Sequence, residues 1–342
     1  MRVLITGAAG FLGARLARTL LARGQLAGRP IEQLVLADLV APADAALRDD
    51  ARVQARTGDL LGMAGALAAE LRESPADAVF HLASAVSAEC EADFDLGLRS
   101  NLDATRALLD ACRGQHAATG RAPRFVFSSS VAVFGADADL PLPDEVDDRT
   151  LPVPQSSYGV HKFVCEQLVA DYTRKGYLDG RSARLMTVSV RPGRPNGAAS
   201  GFLSGIVREP LAGQPAVCPV GPDTAVALAS PAATIGGLVA VAEAERSALG
   251  GRTALNLPAL TVTVRDMLAA LGQVGGEEAA SLVRFEPDAA TARIVGGWPS
   301  RIAAPRAARL GLIPDGDFAS IVLQYVRDHR DAVRNARALA AA

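Results

Sequence analysis

The sequence predicts an α/β fold with a doubly wound parallel sheet and a second, smaller lobe. In the first half of the chain, short apolar runs alternate with longer stretches rich in Ala, Leu and Arg, which is the pattern of βαβ units. The apolar runs are nearly continuous, as expected for parallel strands that are buried on both faces. After about residue 194 the alternation ends, and we expect the smaller lobe to lie near the carboxyl ends of the strands.

The predicted elements follow one another regularly in this half. The runs that we expect to form strands cover residues 2–6, 33–38, 76–84, 124–130 and 185–193. Stretches of helical character follow the first strand and also cover residues 101–115 and 158–176. This order places helices between successive parallel strands, as a doubly wound sheet requires.

Composition narrows the classes of function. The chain has 342 residues, and its 35 Lys and Arg nearly balance 37 Asp and Glu, so the net charge of -2 provides no strong field for nucleic acid. Hydrophobic residues make up 49%, which is typical of a folded chain with a large core. No apolar run reaches the roughly 18 residues of a membrane helix, and the first residues lack the regions of a signal peptide. We therefore expect a cytoplasmic protein without a membrane partner.

The cysteines and histidines form no metal-binding pattern. Cys90, Cys112, Cys165 and Cys218 are widely spaced, and no CxxC pair occurs. The four histidines are equally scattered. The sequence therefore predicts no metal site, and any chemistry must come from other groups.

Glycines between the first strand and the first helix indicate a dinucleotide-binding turn of the Rossmann type. Residues 6–13 read TGAAGFLG, in which Gly7, Gly10 and Gly13 allow a tight turn, close approach of backbone N–H groups to a pyrophosphate, and close packing of helix on strand. A tight turn without a ligand is the alternative. Asp38 favours the cofactor, because a carboxylate at the end of the second predicted strand can bind an adenosine ribose and repel a 2′-phosphate. The expected cofactor is NAD.

Two other polar residues have less specific interpretations. Asp59 in TGDL follows an apolar run, where its side chain could reach the adenine edge or could cap a helix, and the sequence favours neither. His81 lies within an apolar run, and we interpret it as a core histidine without a catalytic role.

Tyr158 and Lys162 indicate catalysis. They lie four residues apart in SSYGVHK on a predicted helix, so their side chains share one face. A chance YxxxK pair is common, but here a strand ending in RFVFSSS can bring Ser130 to the same place. A phenol can take the proton of an alcohol when an ammonium and a nicotinamide ring favour the phenolate, and a serine can orient the reacting oxygen. The set predicts hydride transfer between an alcohol and NAD.

These motifs together resemble the extended short-chain dehydrogenase/reductase family, of the NAD-dependent epimerase/dehydratase type, over nearly the whole chain. The resemblance rests on TGAAGFLG, Asp38, GDL at 58–60, HLAS at 81–84, Asn101, FSSSVAVFG at 127–135, YGVHK and RPG at 191–193. It implies that Ser130, Tyr158 and Lys162 are catalytic, and that the helices at 101–115 and 158–176 form a homodimer. It also implies NAD contacts by Gly7, Gly10, Phe11, Leu12, Gly13, Asp38, Asp59, Leu60, Leu82, Ala83, Asn101, Tyr158, Lys162 and Pro192.

The loss of alternation after about residue 194 divides the chain into two parts. Residues 1–193 are expected to form the NAD-binding Rossmann domain, and residues 226–255 are expected to return to it. Residues 194–342 are expected to form mainly the substrate-binding lobe and the C-terminal helices.

The segment 187–220 is similar to a branch of the family that oxidises the C2 hydroxyl of a four-carbon sugar acid with NAD. The implied reaction converts D-erythronate into 2-keto-D-erythronate. Arg194 suits bidentate binding of a carboxylate, although a salt bridge at the surface or between the lobes is an equal alternative. The substrate-binding candidates are Ser84, Ser87, Ser130, Tyr158, Arg194 and Asn196.

Two other functions compete with this prediction. A nucleotide-sugar epimerase would keep its NAD bound and regenerate it in each cycle. A regulatory protein that senses NAD without catalysis would share the fold, but such proteins generally lack the pair that Tyr158 and Lys162 form here.

Overall fold

The computed structural model describes residues 1–193 and 199–342. In chain order its strands are β1 (Arg2–Thr6), β2 (Gln25–Leu26), β3 (Arg29–Pro30), β4 (Gln33–Asp38), β5 (Val53–Thr57), β6 (Ala78–His81), β7 (Arg124–Ser130), β8 (Asp179–Leu185), β9 (Thr187–Val188), β10 (Ala216–Cys218), β11 (Ala225–Ala229), β12 (Leu255–Asn256), β13 (Leu260–Thr263) and β14 (Val283–Phe285).

Helices alternate with these strands through much of the chain. They are α1 (Phe11–Arg23), α2 (Ala45–Arg48), α3 (Ala64–Glu73), α4 (Ser87–Ala92), α5 (Phe94–Gly97), α6 (Ala104–Thr119), α7 (Ser157–Arg174), α8 (Phe202–Leu211), α9 (Pro231–Glu243), α10 (Val264–Ser281), α11 (Ala289–Gly296), α12 (Pro305–Ala308), α13 (Phe318–Asp328) and α14 (Ala336–Ala341). A π-helical turn, Leu98–Asp103, leads into α6.

Seven parallel strands form the main sheet, in the order β5-β4-β1-β6-β7-β8-β12. The order runs outward from β1 in both directions, so the chain changes direction across the sheet between β5 and β6. In open α/β sheets such a switch leaves a crevice at the carboxyl ends of the strands, where ligands bind. The predicted doubly wound parallel sheet is confirmed.

Helices cover both faces of the main sheet. On one face, Leu16 and Leu20 of α1 share a buried apolar cluster with Leu238 and Val241 of α9. On the other face, α3, α6 and α7 pack around a second cluster that includes Phe125 of β7. Because both faces are buried, the inner strands β1, β4 and β6 are mainly apolar.

A smaller lobe has its own apolar core, in which Ile206 of α8, Leu271 of α10 and Val322 of α13 are buried together. Its three-stranded sheet has the order β13-β11-β9. Between these strands the chain returns to the main sheet, where α9 packs and β12 pairs with β8. A domain boundary at residue 193 stays a prediction.

One strand of the main sheet lies at a different place from the predicted one. The apolar run 185–193 was expected to join the sheet, but the strand beside β7 is β8, with the sequence DGRSARL, and β9 pairs with β11 in the smaller sheet. The prediction was wrong because the charges in β8 are paired. Arg184 Nη2 lies 2.8 Å from Glu166 Oε2, and Arg181 Nη1 donates to carbonyl oxygens at the end of α9. Hydropathy does not reveal such pairing, which lets charges occupy a buried strand.

Three findings concern membranes, metals and thiols. Across the two described ranges, no helix combines the length and the apolar character that a membrane span would need. The same residues contain no group of three or more His, Cys, Asp or Glu side chains that could hold a metal ion. Cys90, Cys112, Cys165 and Cys218 are all buried and carry free thiols.

Candidate active site

The glycine turn after β1 lies at the switch point of the sheet. Gly7 has a φ of 72°, in the left-handed region that favours glycine. A Cβ on Gly7 would lie 2.6 Å from the backbone nitrogen of Ala83, and a Cβ on Gly13 would lie 2.0 Å from the carbonyl oxygen of Gly7. A side chain at position 7 would therefore push the turn away from the segment that follows β6. A side chain at position 13 would push α1 away from the turn.

The amino-terminal end of α1 opens on this turn. Gly10 precedes the helix without a side-chain hydrogen bond to it, and the first turn of the helix contains no acidic residue. Unpaired N–H groups and the helix dipole favour an anion at such an end. The turn, kept narrow by its glycines, therefore fits the pyrophosphate of a dinucleotide.

Asp38 lies beside the turn at the end of β4. Its Oδ2 accepts a hydrogen bond from the N–H of Ala9 at 2.8 Å, and its Oδ1 accepts one from the N–H of Leu39 at 2.7 Å. The next two side chains, Leu39 and Val40, are exposed and uncharged. A ribose phosphate at this position would meet a carboxylate without a neighbouring cation at 39 or 40, which favours NAD over NADP.

Asp59 and Leu60 lie farther along the sheet edge. Asp59 Oδ2 accepts a hydrogen bond from the N–H of Gly62 at 3.1 Å, two residues before α3 begins at Ala64. This hydrogen bond lies in the turn before α3, whose N-cap is Met63 and has no side-chain cap hydrogen bond, so it favours neither capping nor an adenine contact. Leu60 is buried. Neither side chain lines the cavity at the switch point.

A cavity of about 290 Å³ opens at the switch point, between the main sheet and the smaller lobe. It brings the glycine turn together with Ser130, Tyr158 and Lys162. Its other lining residues come from the ends of β6, β7 and β8, from the segment after β9, and from the smaller lobe; they include Leu82, Ser84, Ser87, Met186, Thr187, Arg191, Ser200 and Trp298.

Local structure at the start of α7 places Tyr158 in this cavity. Ser156 caps the helix, because its Oγ accepts a hydrogen bond from the N–H of Gly159 at 3.1 Å. A Cβ on Gly159 would lie 2.2 Å from the carbonyl oxygen of Ala132, so the first turn of α7 packs directly on the segment that follows β7. Lys162 lies one turn further along the same face.

Lys162 is buried and anchored. Its Nζ donates a hydrogen bond to the carbonyl oxygen of Ser128 at 2.8 Å. The same nitrogen lies 5.5 Å from the ring centroid of Tyr158 and 5.0 Å from that of Phe127. Burial lowers the pKa of Lys162 to about 8.

The Tyr158 phenol faces the cavity and is partly exposed to it. Burial raises the pKa of Tyr158 to about 12, while hydrogen bonding with Ser130 and the charge of Arg191 act in the opposite direction. From the sequence, the ammonium of Lys162 was expected to lower the pKa of Tyr158. In the structure, the guanidinium of Arg191 also lowers it. In the protein alone, the phenol is therefore protonated at neutral pH.

Ser130 ends β7 with its side chain at the cavity. Its Oγ accepts a hydrogen bond from the N–H of Ala132 at 3.1 Å. Since a hydroxyl can also donate one hydrogen bond, Ser130 can accept from the backbone and donate to an oxygen in the cavity at the same time.

Asn101 organises the loop that follows β6. This buried side chain accepts hydrogen bonds from the N–H of Ala85 at 2.7 Å and from the Ser84 hydroxyl at 3.1 Å. Ser87, which also lines the cavity, accepts a hydrogen bond from the N–H of Ala199 at 3.4 Å. Asn101 therefore shapes the cavity wall through Ser84 and Ala85.

Arg191 is a cavity residue that sequence reasoning recognised only as part of the RPG motif. Its Nε donates to the carbonyl oxygen of Val188 at 2.9 Å, and its Nη2 donates to Ser200 Oγ at 2.6 Å. The RPG motif marks this arginine, but it does not show that the side chain lines the cavity, because that place depends on the turn after β9. Pro192, beside it, is partly buried.

The predicted substrate residues Arg194 and Asn196 lie outside the described residues. The other predicted substrate residues, Ser84, Ser87, Ser130 and Tyr158, all line the cavity.

Trp298 closes the cavity on the side of the smaller lobe. It follows α11 and packs against the apolar core of that lobe while also lining the cavity. Its sequence context gives no indication of this role.

Known proteins are similar to this chain over most of its length. Residues 3–226 match the NAD dependent epimerase/dehydratase family. A D-erythronate dehydrogenase from Cupriavidus necator is 49% identical over 96% of this chain and 98% of its own length. A D-erythronate dehydrogenase from Haemophilus influenzae is 42% identical over 95% of this chain and 99% of its own length.

A solved structure is also similar over nearly the whole chain. It is described as a nucleoside-diphosphate-sugar epimerase from Agrobacterium tumefaciens, is 42% identical and has a TM-score of 0.89, over 97% of this chain and 95% of that chain.

Proposed function

Because this chain belongs to the NAD-dependent epimerase/dehydratase family, we propose that it oxidises the C2 hydroxyl of D-erythronate, with NAD, to 2-keto-D-erythronate. NAD-dependent dehydrogenation of a sugar acid is the activity that the two curated relatives support in common. The observation that carries the finer proposal is the meeting of Ser130, Tyr158 and Lys162 with the guanidinium of Arg191 in one cavity beside the glycine turn.

The residues proposed to bind NAD lie along the switch point. The glycine turn and the end of α1 would hold the pyrophosphate, and Asp38 would bind the adenosine ribose. The full proposed set is Gly7, Gly10, Phe11, Leu12, Gly13, Asp38, Asp59, Leu60, Leu82, Ala83, Asn101, Tyr158, Lys162 and Pro192. Bound there, NAD would supply an acceptor for the hydride of C2 and a positive charge that favours the phenolate of Tyr158.

In the proposed mechanism, the Tyr158 oxygen takes the proton of the C2 hydroxyl as the hydride leaves the same carbon. The Ser130 hydroxyl donates a hydrogen bond to the reacting oxygen and orients it. Lys162, fixed by the Ser128 carbonyl, keeps a cation next to the Tyr158 ring. These three groups are the proposed catalytic residues.

We propose that Arg191 binds the carboxylate of the acid. A guanidinium that lines the cavity and is held by Val188 and Ser200 is suited to an oxyanion and is already ordered before binding. Ser84, Ser87, Arg194 and Asn196 remain proposed substrate contacts.

A nucleotide-sugar epimerase is the second candidate, and the description of the similar Agrobacterium structure favours it. The two functions differ in the fate of the cofactor. A dehydrogenase releases NADH in every turnover, whereas an epimerase returns its hydride to the substrate.

An aldonate panel assayed with free NAD separates these candidates. We expect NADH to accumulate, as absorbance at its own band, with D-erythronate and more slowly with stereoisomers and longer acids. A panel of nucleotide sugars run in parallel should give no NADH and no epimer. Epimer formation without NADH, together with no NADH from any acid, would contradict the proposal and support the epimerase.

Trp298 provides a second test that does not depend on turnover. It is the only Trp of the chain and lines the cavity, so binding of NAD or of a keto acid product is expected to change its fluorescence saturably. Titration should give Kd values that agree with those from calorimetry. A calorimetric binding signal without any change in fluorescence would mean that the ligand binds outside this cavity.

The homodimer and the cytoplasmic location expected from the sequence stay proposals. The exposed apolar side chains of Val160 on α7 and of Phe94 on the neighbouring α5 support pairing of chains through this surface.

A further inference from the structure

One face of α7 packs against the end of β7. Tyr158, Lys162 and Glu166 are spaced four residues apart, so they share this face. The end of β7 is the run of three serines at 128–130. Each residue of the helical face lies beside a different serine of the run.

Two of these contacts involve groups of the proposed mechanism. Ser130 lines the cavity together with the phenol of Tyr158, and the Ser128 carbonyl accepts from Lys162 Nζ at 2.8 Å. The third contact joins Ser129, which also lines the cavity, to Glu166, which does not. The Ser129 hydroxyl donates to Glu166 Oε1 at 2.5 Å, and both side chains are buried.

Glu166 is a fixed acceptor because Arg184 of β8 holds it from the other side. Arg184 Nε donates to Glu166 Oε1 and Nη2 donates to Oε2, both at 2.8 Å. The guanidinium carbon of Arg184 also lies 4.7 Å from the ring centroid of Phe134. A bidentate pair of this kind leaves the carboxylate little rotational freedom.

We propose that Glu166 is a positioning residue, which fixes the end of β7 against α7 through the Ser129 hydroxyl and thereby sets where Ser130 stands relative to Tyr158. The inference rests on the proposed function, in which these two hydroxyls act on one substrate oxygen. Proximity effects are steep, and a displacement of about 1 Å in such a pair lowers the rate by up to about a hundredfold. Glu166 itself does not line the cavity.

Ser129→Ala tests the contact, with Ser182→Ala as its matched control. Ser182 is a buried serine of the adjacent strand β8, and its hydroxyl has no hydrogen-bond partner among the described residues. We expect Ser129→Ala to lower kcat about tenfold or more, while the KM values for NAD and acid change less than about twofold. Ser182→Ala should leave kcat unchanged. Equal kcat values in the two variants would overturn the proposal.

Two further variants show whether the hydroxyl acts through Glu166. Ser129→Thr keeps a donor and should recover most of kcat; a Thr variant as slow as the Ala variant would assign the loss to packing and overturn the proposal. In a Glu166→Gln background, Ser129→Ala should lower kcat much less than it does in the wild type. If the losses of kcat in the two single variants simply multiplied in the double variant, the proposal would be overturned as well. Glu166→Gln deprives Arg184 of its buried charged partner and can fail to fold for that reason. In that case, the comparison of kcat in Ser129→Ala and Ser182→Ala tests the proposal by itself.

Tyr158→Phe distinguishes failure of this inference from failure of the proposed function. An inactive Tyr158→Phe with equal Ser129 and Ser182 variants would reject only the positioning role of Glu166. A fully active Tyr158→Phe would reject the mechanism on which the inference rests.

Discussion

Tyr158→Phe is expected to lower kcat for D-erythronate by about a thousandfold, within the range of general acid–base catalysis. The substitution keeps the aromatic ring, whose centroid lies 5.5 Å from Lys162 Nζ, and removes only the hydroxyl. NAD affinity should therefore change less than about twofold, as measured by calorimetry beside steady-state kinetics.

Tyr172→Phe is the control for this result. Tyr172 lies on the same helix, α7, but its hydroxyl donates to Asp110 Oδ1 at 2.8 Å and does not reach the cavity. It should retain wild-type kcat. If Tyr158→Phe kept more than about a tenth of the wild-type rate, another group would have to take the substrate proton.

Arg191→Ala is expected to raise the KM for D-erythronate between about 10-fold and 150-fold and to leave the KM for NAD nearly unchanged. A hydrogen bond to a charged group contributes about 1.5–3 kcal/mol, which corresponds to this range. The guanidinium already lies in the cavity with its orientation fixed by the Val188 carbonyl and Ser200 Oγ. The measurement is a matrix of initial rates over both substrates.

Arg191→Lys separates charge from geometry. A lysine keeps the positive charge but not the planar fork, so it should recover only part of the affinity for the acid. If the KM of Arg191→Ala for the acid stayed within about threefold of the wild-type value, another residue would have to bind the carboxylate. Arg194 is the predicted alternative. Melting temperatures should accompany both variants, because Arg191 also holds Val188 and Ser200 in place.

The parts of the site that adjoin one another in the chain were predictable from the sequence. Gly7 and Gly13 stand where a side chain would collide with the backbone, and Gly7 also has a positive φ, so at these two positions the sequence carries the geometry directly. The spacing of Tyr158 and Lys162 likewise fixes their common face once the helix is recognised. The doubly wound sheet followed from apolar periodicity and is confirmed.

Features that depend on contacts between distant segments were not predictable. β8 contains Arg181 and Arg184, and only their partners on α7 and at the end of α9 make burial of these charges favourable. Arg191 and Trp298 reach the cavity from separate parts of the chain, so no local pattern identifies either one. The role of Asp59 stayed open in the sequence for a different reason, since helix capping and adenine binding can both use an aspartate.

The late return of α9 to the main sheet has a consequence during synthesis. A nascent chain that has left the ribosome only through Gly193 contains six of the strands of the main sheet but not the helix that covers Leu16 and Leu20. One side of that intermediate must stay uncovered until Leu238 and Val241 emerge. We expect the growing polypeptide to attract chaperones over this interval, and a gene truncated after the hydride-transfer residues to yield an aggregating product.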